Sequence, residues 1–234
     1  MRPVMKAATS DLRNQPAYGP AEAARYLRLP SATLRTWLVG REYPTKAGSQ
    51  ATFHPLIQPA RRQPLQLSFY NLVEAHVLRA LRTDHGVKLT ELRTAIDFAQ
   101  RKLHIPRLLL SPALRTHAGQ VFLDRFFDLI NLSASGQLAM RRMLEDHLKR
   151  VEWDDWQFPV RLYPYLGAAQ PAADRPIAID PRVAFGRPVV RRAGISTAAI
   201  ADRIDAGESV QALAEDYDLS PGEIEQAVLY SRAA

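Results

Sequence analysis

The sequence predicts a mainly α protein with small β elements. Apolar residues recur at helical spacing in several separate stretches, Pro, Gly and polar turns divide those stretches, and every candidate strand is short. The expected order is an N-terminal winged helix-turn-helix over 1–103 and an α+β middle segment over 104–166. A linker over 167–175 and a small C-terminal helical, helix-turn-helix-like domain over 176–234 follow.

Ala21 to Leu29 reads as a short helix, with Ala23, Ala24 and Leu27 on one face and Pro20 suited to its first turn. Leu29-Pro30 breaks it, and Ser31 is expected to cap a second helix that turns Leu34, Trp37 and Leu38 inward and ends at Gly40. Two short helices with inward apolar faces and a tight turn form a helix-turn-helix. Arg41 to Leu67 is basic and rich in Pro and Gly, an extended wing with short strands such as Ala51 to Phe53. Phe69 to Arg82 is strongly amphipathic, with Leu72, Val73, Val77, Leu78 and Leu81 at helical spacing. Asp84-His85-Gly86 is a turn, and Thr90 to Leu103 follows as a helix.

In the middle segment Arg107 to Leu110, Val121 to Leu123 and Val160 to Tyr163 are expected as strands, and 137–150 as a helix. The composition of Gly167 to Arg175 marks a linker. Beyond it come a strand over Ile177 to Asp180, a turn at Phe185-Gly186-Arg187-Pro188 and a short extended Val189-Val190. Helices are expected over Thr197 to Asp205, from the Ser209 cap to Asp216, and from Ser220-Pro221, where Glu223 completes a capping box.

The chain of 234 residues is long enough for real apolar cores. It has no cysteine, so disulfides, zinc-thiolate sites and thiol nucleophiles are excluded. No leader-like or bilayer-spanning stretch is evident, and a cytoplasmic protein with no membrane partner is expected. The net charge of +7 is uneven: residues 1–65 hold ten Lys/Arg against three acids, whereas 167–234 hold seven against ten. That asymmetry suits a polyanion partner for the first region and a different partner for the last, although solvated surface charge gives the same totals.

Up to residue 100, Pro20-Ala-Glu-Ala-Ala, Leu29-Pro30-Ser31, Thr33-Leu34-Arg35 and Leu67-Ser68-Phe69-Tyr70-Asn71-Leu72-Val73 resemble a MerR-type winged helix-turn-helix. The chain departs from that pattern with Thr36 and Trp37 where a tyrosine pair is usual, and with a long Pro-rich wing. Ile179-Asp180-Pro181, Phe185-Gly186-Arg187-Pro188 and the helices to Ala227 resemble a small domain of unknown function found in bacterial antitoxins. With Leu129 to Ser133 and Trp153 to Pro164, nearly the whole chain resembles a VapB-type antitoxin. The resemblance implies a PIN-like ribonuclease toxin as partner and repression of the pair's own operon. The alternative is a MerR-like one-component regulator whose middle segment binds a small molecule, and a third reading is an interaction adaptor with no DNA role.

Ser31, Thr33, Arg35 and Thr36 would line the outer face of the second helix, where small polar groups and a cation reach base edges. Arg25, Arg28, Arg41, Lys46, Arg61 and Arg62 would hold the DNA backbone; the bland reading is a helical hairpin that contacts only protein. A homodimer on a palindromic double-stranded operator is expected. The C-terminal helix pair offers Glu223 and Glu225, which repel phosphate and favour a protein contact. Arg187, Arg191 and Arg192 suit the carboxylates of a nuclease, or simply cover a turn. Glu152, Asp154 and Asp155 are read as the outward face of a hairpin whose tryptophans point inward, rather than as a metal or acid-base site. The six histidines show no metal-ligand spacing, and neither a phosphate loop nor a serine elbow is present. No enzyme, cofactor or metal is expected.

Overall fold

A computed structural model describes residues 11–44, 50–83, 93–94, 96, 107–110, 148–164 and 175–232. It is mainly helical with small antiparallel sheets, as the sequence predicts. Helices α1 (Pro20–Tyr26) and α2 (Ser31–Val39) lead into a hairpin of β1 (Arg41–Pro44) and β2 (Gln50–Phe53), with Arg41 opposite Phe53. A smaller hairpin of β3 (Arg61–Arg62) and β4 (Leu65–Gln66) precedes α3 (Phe69–Thr83).

The first turn of α1 follows from Pro20 and from the Glu22 carboxylate, which accepts from the Gly19 amide at 3.4 Å. The start of α2 differs from expectation. Pro30, not Ser31, occupies the cap position and Ser31 is the first helical residue, so no side chain caps this helix. Proline's fixed φ already delivers the extended geometry a cap needs, at φ −58° and ψ 130°. Gly40 ends the helix at φ 80°, a conformation that disfavours any side chain.

The larger core gathers Ala23, Ala24, Leu34, Trp37 and Leu38 against Leu67, Leu72, Val73 and Val77 of the α3 region. Each leucine or valine side chain among them contributes about 2 kcal/mol by leaving water. Strand-like pairing of Tyr18 with Leu67 fixes the chain before α1 beside the chain before α3. At the foot of α3 the buried Asn71 carboxamide accepts from the amides of Ala60 and Ser68 and donates to Gln58 and Glu74. Glu74 in turn takes a two-pronged contact from Arg107 at 2.8 and 3.0 Å. Arg107 precedes a 3-10 turn at Leu108–Leu110, where a strand is expected from sequence. Three successive leucines satisfy either period, and docking on α3 selects the turn.

Strands β5 (Val151–Trp153) and β6 (Pro159–Leu162) form the expected hairpin. Glu152 accepts from Arg161 and from the Tyr163 hydroxyl, and Asp154 accepts from Arg13 at 2.7 Å. Its tryptophans are not both inward. Trp153 is half-buried against the core, but Trp156 lies at the tip and is 80% exposed, because the turn spends that position on reversing the chain. Of the other expected elements, Arg93, Thr94 and Ile96 are helical, while the strand at 121–123, most of the helix over 137–150 and the linker before Arg175 lie outside the described residues.

The C-terminal region opens with a three-stranded sheet of β7 (Ile177–Ala178), β8 (Val189–Val190) and β9 (Ile195–Ser196). Strand β7 is shorter than expected, since Ile179 leaves it to pair with Leu162 of the β5–β6 hairpin. Helices α4 (Thr197–Asp205), α5 (Val210–Asp216) and α6 (Pro221–Arg232) follow as expected. Ser209 Oγ accepts from the Ala212 amide at 3.1 Å. The Ser220 amide donates to Glu223 at 2.8 Å while Ser220 Oγ accepts from the Glu223 amide at 3.3 Å, a complete capping box. Between β7 and β8, Ala184, Phe185 and Gly186 take φ of 47°, 56° and 77° in succession. A Cβ at Gly186 would stand 2.1 Å from the Tyr18 hydroxyl, so only glycine fits this crossing.

Candidate nucleic-acid interface

The α1–α2 turn is set by hydrogen bonds rather than by a glycine. Arg28 sits at φ 52°, the Leu27 amide donates to Ala23 O, and the Leu29 amide reaches back to Ala24 O at 2.9 Å. The α5–α6 turn repeats this geometry, with Asp218 at φ 51° and the Leu219 amide on Ala214 O at 2.9 Å. Leu34 and Ile224 take equivalent buried positions in α2 and α6, and Arg35 and Glu225 equivalent exposed ones.

With Leu34, Trp37 and Leu38 buried, α2 turns Ser31, Ala32, Arg35 and Val39 to the exterior. Thr33 and Thr36 are half-buried, and the Thr36 hydroxyl donates to Ala32 O at 2.9 Å. Thr36 therefore has its hydrogen engaged along the helix and keeps only lone pairs for an outside donor. Arg25 is exposed beside α2, stacked 5.6 Å from the Tyr26 ring centroid. Arg41 at the root of the wing and Arg61 and Arg62 on β3 are exposed too. Among the described residues none of Arg25, Arg35, Arg41, Arg61 or Arg62 pairs with a carboxylate. Lys46 lies outside the described residues.

Arg28 stands apart from this group. Its guanidinium lies 5.6 Å from the ring centroid of Tyr230 on α6, and burial shifts its pKa below the ordinary arginine value. It is a joint between the two helical regions. The Tyr230 hydroxyl beside it donates to Tyr26 O at 2.8 Å, and burial raises the Tyr230 pKa, keeping that phenol protonated. Tyr26 is pushed up to about 12 by burial and by the Glu22 carboxylate, to which its hydroxyl donates at 2.8 Å.

The three C-terminal arginines divide in the same way. Arg187 and Arg191 are exposed, and no carboxylate among the described residues pairs with either. Arg192 bonds Glu223 at 3.3 Å and Asp218, tying the β8–β9 turn to the α5–α6 turn.

A second polar cluster escapes sequence reasoning. Arg13 bridges Asp11 and Asp154 and stacks on Tyr70 and Phe158, while Tyr70 donates to Asp11 at 3.0 Å. Its members come from three distant segments, so no local spacing announces it. Asp180 is a comparable junction: burial opposes its charge, but hydrogen bonds from Arg182 and Arg161 outweigh this and hold its carboxyl below the ordinary range. Both clusters are internally satisfied and join segments. Among the described residues no group of His, Asp and Glu is placed to hold a metal, and no helix is long and apolar enough to cross a membrane.

Residues 16–96 match a family described as "Putative DNA-binding HTH domain", and residues 177–231 match a protein family of unknown function, DUF433. Over 231 residues the chain is 30% identical to "Putative antitoxin VapB45" of Mycobacterium tuberculosis, covering 91% of this chain and 92% of that protein. The crystal structure of Rv2018 from the same organism has 27% identity and a TM-score of 0.63, covering 91% of this chain and 97% of that one.

Proposed function

The chain belongs to the VapB-type antitoxin family, and from that premise we propose that it neutralises a PIN-like ribonuclease toxin and represses its own operon as a DNA-bound homodimer. It is a non-enzymatic regulator of the cytoplasm in this reading. Residues 1–103 form the DNA-binding domain, 104–166 the middle segment, 167–175 the linker and 176–234 the domain that meets the toxin.

The observation that carries the DNA role is the division of α2. Its inner side is sealed by Leu34, Trp37 and Leu38, and its outer side presents Arg35 with Ser31, while Thr33 is half-buried. Arg25 on α1, Arg41 at the root of the wing and Arg61 and Arg62 on β3 are exposed as well, and none is neutralised by a carboxylate among the described residues. Unpaired cations in the same domain as a helix that presents Arg35 and Ser31 suit a duplex: the flanks hold phosphates and the helix reads base edges in the major groove. The uncapped first turn of α2 adds backbone N–H groups on the same side. Arg28, set against Tyr230, supports this reading indirectly by fixing the turn rather than by touching DNA.

Titration of the dimer with a duplex carrying its own promoter tests the proposal. Affinity should fall linearly on a logarithmic salt scale with a slope of about −0.9 per phosphate neutralised. A slope near zero would leave α2 a protein-contact helix, and promoter binding by a chain with no nuclease partner would favour the one-component regulator.

A further inference from the structure

The loop between β7 and β8 holds an apolar side chain in solvent at a conformational cost. Phe185 is 91% exposed, the most exposed large apolar residue of the described chain, and its φ is 56°. A bulky residue in the left-handed region is an outlier, and Ala184 before it is left-handed as well. The loop is also pinned. Asp180 accepts from the Arg182 amide at 2.9 Å, the Gly186 amide donates to Val183 O at 2.9 Å, and the Gly186 backbone abuts Tyr18. Phe185 is therefore held out from a fixed base, at the seam between the N-terminal and C-terminal regions.

Charge around it is one-sided. From Arg182 to Arg192 the chain carries four arginines and no acid, whereas from Ala193 to Arg232 it carries eight acids and two arginines. Arg187, two residues beyond Phe185, and Arg191, just after β8, are exposed and lack a carboxylate partner among the described residues. A rigid aromatic anchor beside unpaired guanidinium groups is the composition of an interface hot spot.

We propose that Phe185, with Arg187 beside it, is the anchor by which the C-terminal region docks a protein surface that is rich in carboxylates around an apolar pocket. This rests on the antitoxin reading, in which that surface belongs to a metal-dependent nuclease whose ion is held by acids. The exposed ring favours protein over the DNA backbone as the occupant, because phosphates would pair with Arg187 but offer no apolar pocket to Phe185.

The test uses the full-length chain and the purified protein encoded by the adjacent gene, titrated by calorimetry, with promoter DNA titrated in parallel. Phe185→Asn keeps a residue that tolerates the left-handed region while removing the anchor. It should weaken binding of that protein by about 30-fold, with Arg187→Glu at least as severe. It should also raise the thermal midpoint by about 2 °C, since strain is relieved. Promoter affinity should stay within twofold. Unchanged affinity for the partner in both variants overturns the anchor and leaves the antitoxin reading intact, whereas a wild-type chain that does not bind the adjacent gene's product overturns both. A fall in midpoint together with lost binding would make Phe185 a structural residue, and a loss confined to promoter DNA would make it a wedge between base pairs.

Discussion

The α1–α2 and α5–α6 pairs are built to the same plan and carry opposite chemistry. Each turns through one left-handed residue, Arg28 or Asp218, and each closes with an amide reaching back to the preceding helix at 2.9 Å. Each second helix buries an aliphatic residue at the same place, Leu34 or Ile224. They differ on the outside, where Arg35 of α2 has its counterpart in Glu225 of α6, and at the helix start, where α2 has Pro30 and α6 a complete capping box at Ser220. Backbone geometry thus sets only that a helix is presented; the exposed residues set what it is presented to.

The comparison breaks most sharply in the core. Leu34→Ala and Ile224→Ala should each cost about 3 kcal/mol in urea unfolding, because both side chains are fully buried. The consequences should separate, with promoter binding lost faster at Leu34 and partner binding at Ile224. Exchange of surface charge comes next. Arg35→Glu gives α2 the charge of α6 and should reduce promoter affinity about 100-fold, while Glu225→Arg should leave it within twofold; equal effects would mean that both helices meet DNA.

The joint between the regions offers an acid test. Asp180, with a side chain 2% exposed, accepts from Arg161 at 3.0 Å and from Arg182. Its folded-state pKa lies below the ordinary value of 3.8, so the unfolded chain binds its proton more readily. Its contribution is complete above about pH 5 and is lost as pH falls through the folded pKa. Asp180→Asn should cost about 2 kcal/mol at pH 7 and flatten that part of the acid limb in thermal unfolding. The smallest effect sharpens the contrast between the helix starts. Ser220→Ala should lower stability by about 1 kcal/mol, whereas Ser31→Ala, at a position that caps nothing, should leave it nearly unchanged while testing promoter affinity.

Much of this was legible in the residues because it is local. Ser209 and the Ser220 and Glu223 pair mark their helices within four positions, and the α3 periodicity is continuous. What local spacing does not carry is tertiary choice. The start of α2 moved because a proline supplies cap geometry without a hydroxyl, and Leu108–Leu110 became a turn because α3 lies beneath it. The outward face of α2 could be read from alternation with Leu34, Trp37 and Leu38. Arg28 could not, since its ring partner Tyr230 lies at the other end of the sequence. Phe185 was visible only as part of a turn; its exposure needs the loop's three left-handed residues in space.

The contact of Gly186 with Tyr18 has a consequence for exchanging parts between relatives. A chimaera that takes its first half from one protein and its last from another brings together two surfaces shaped separately. If the incoming half places any side chain at the position of Gly186, the Tyr18 hydroxyl occupies its volume, and if it lacks Tyr230, the ring beneath Arg28 is gone. The halves are interchangeable only along with their seam, so Tyr18 travels with Gly186 and Arg28 with Tyr230.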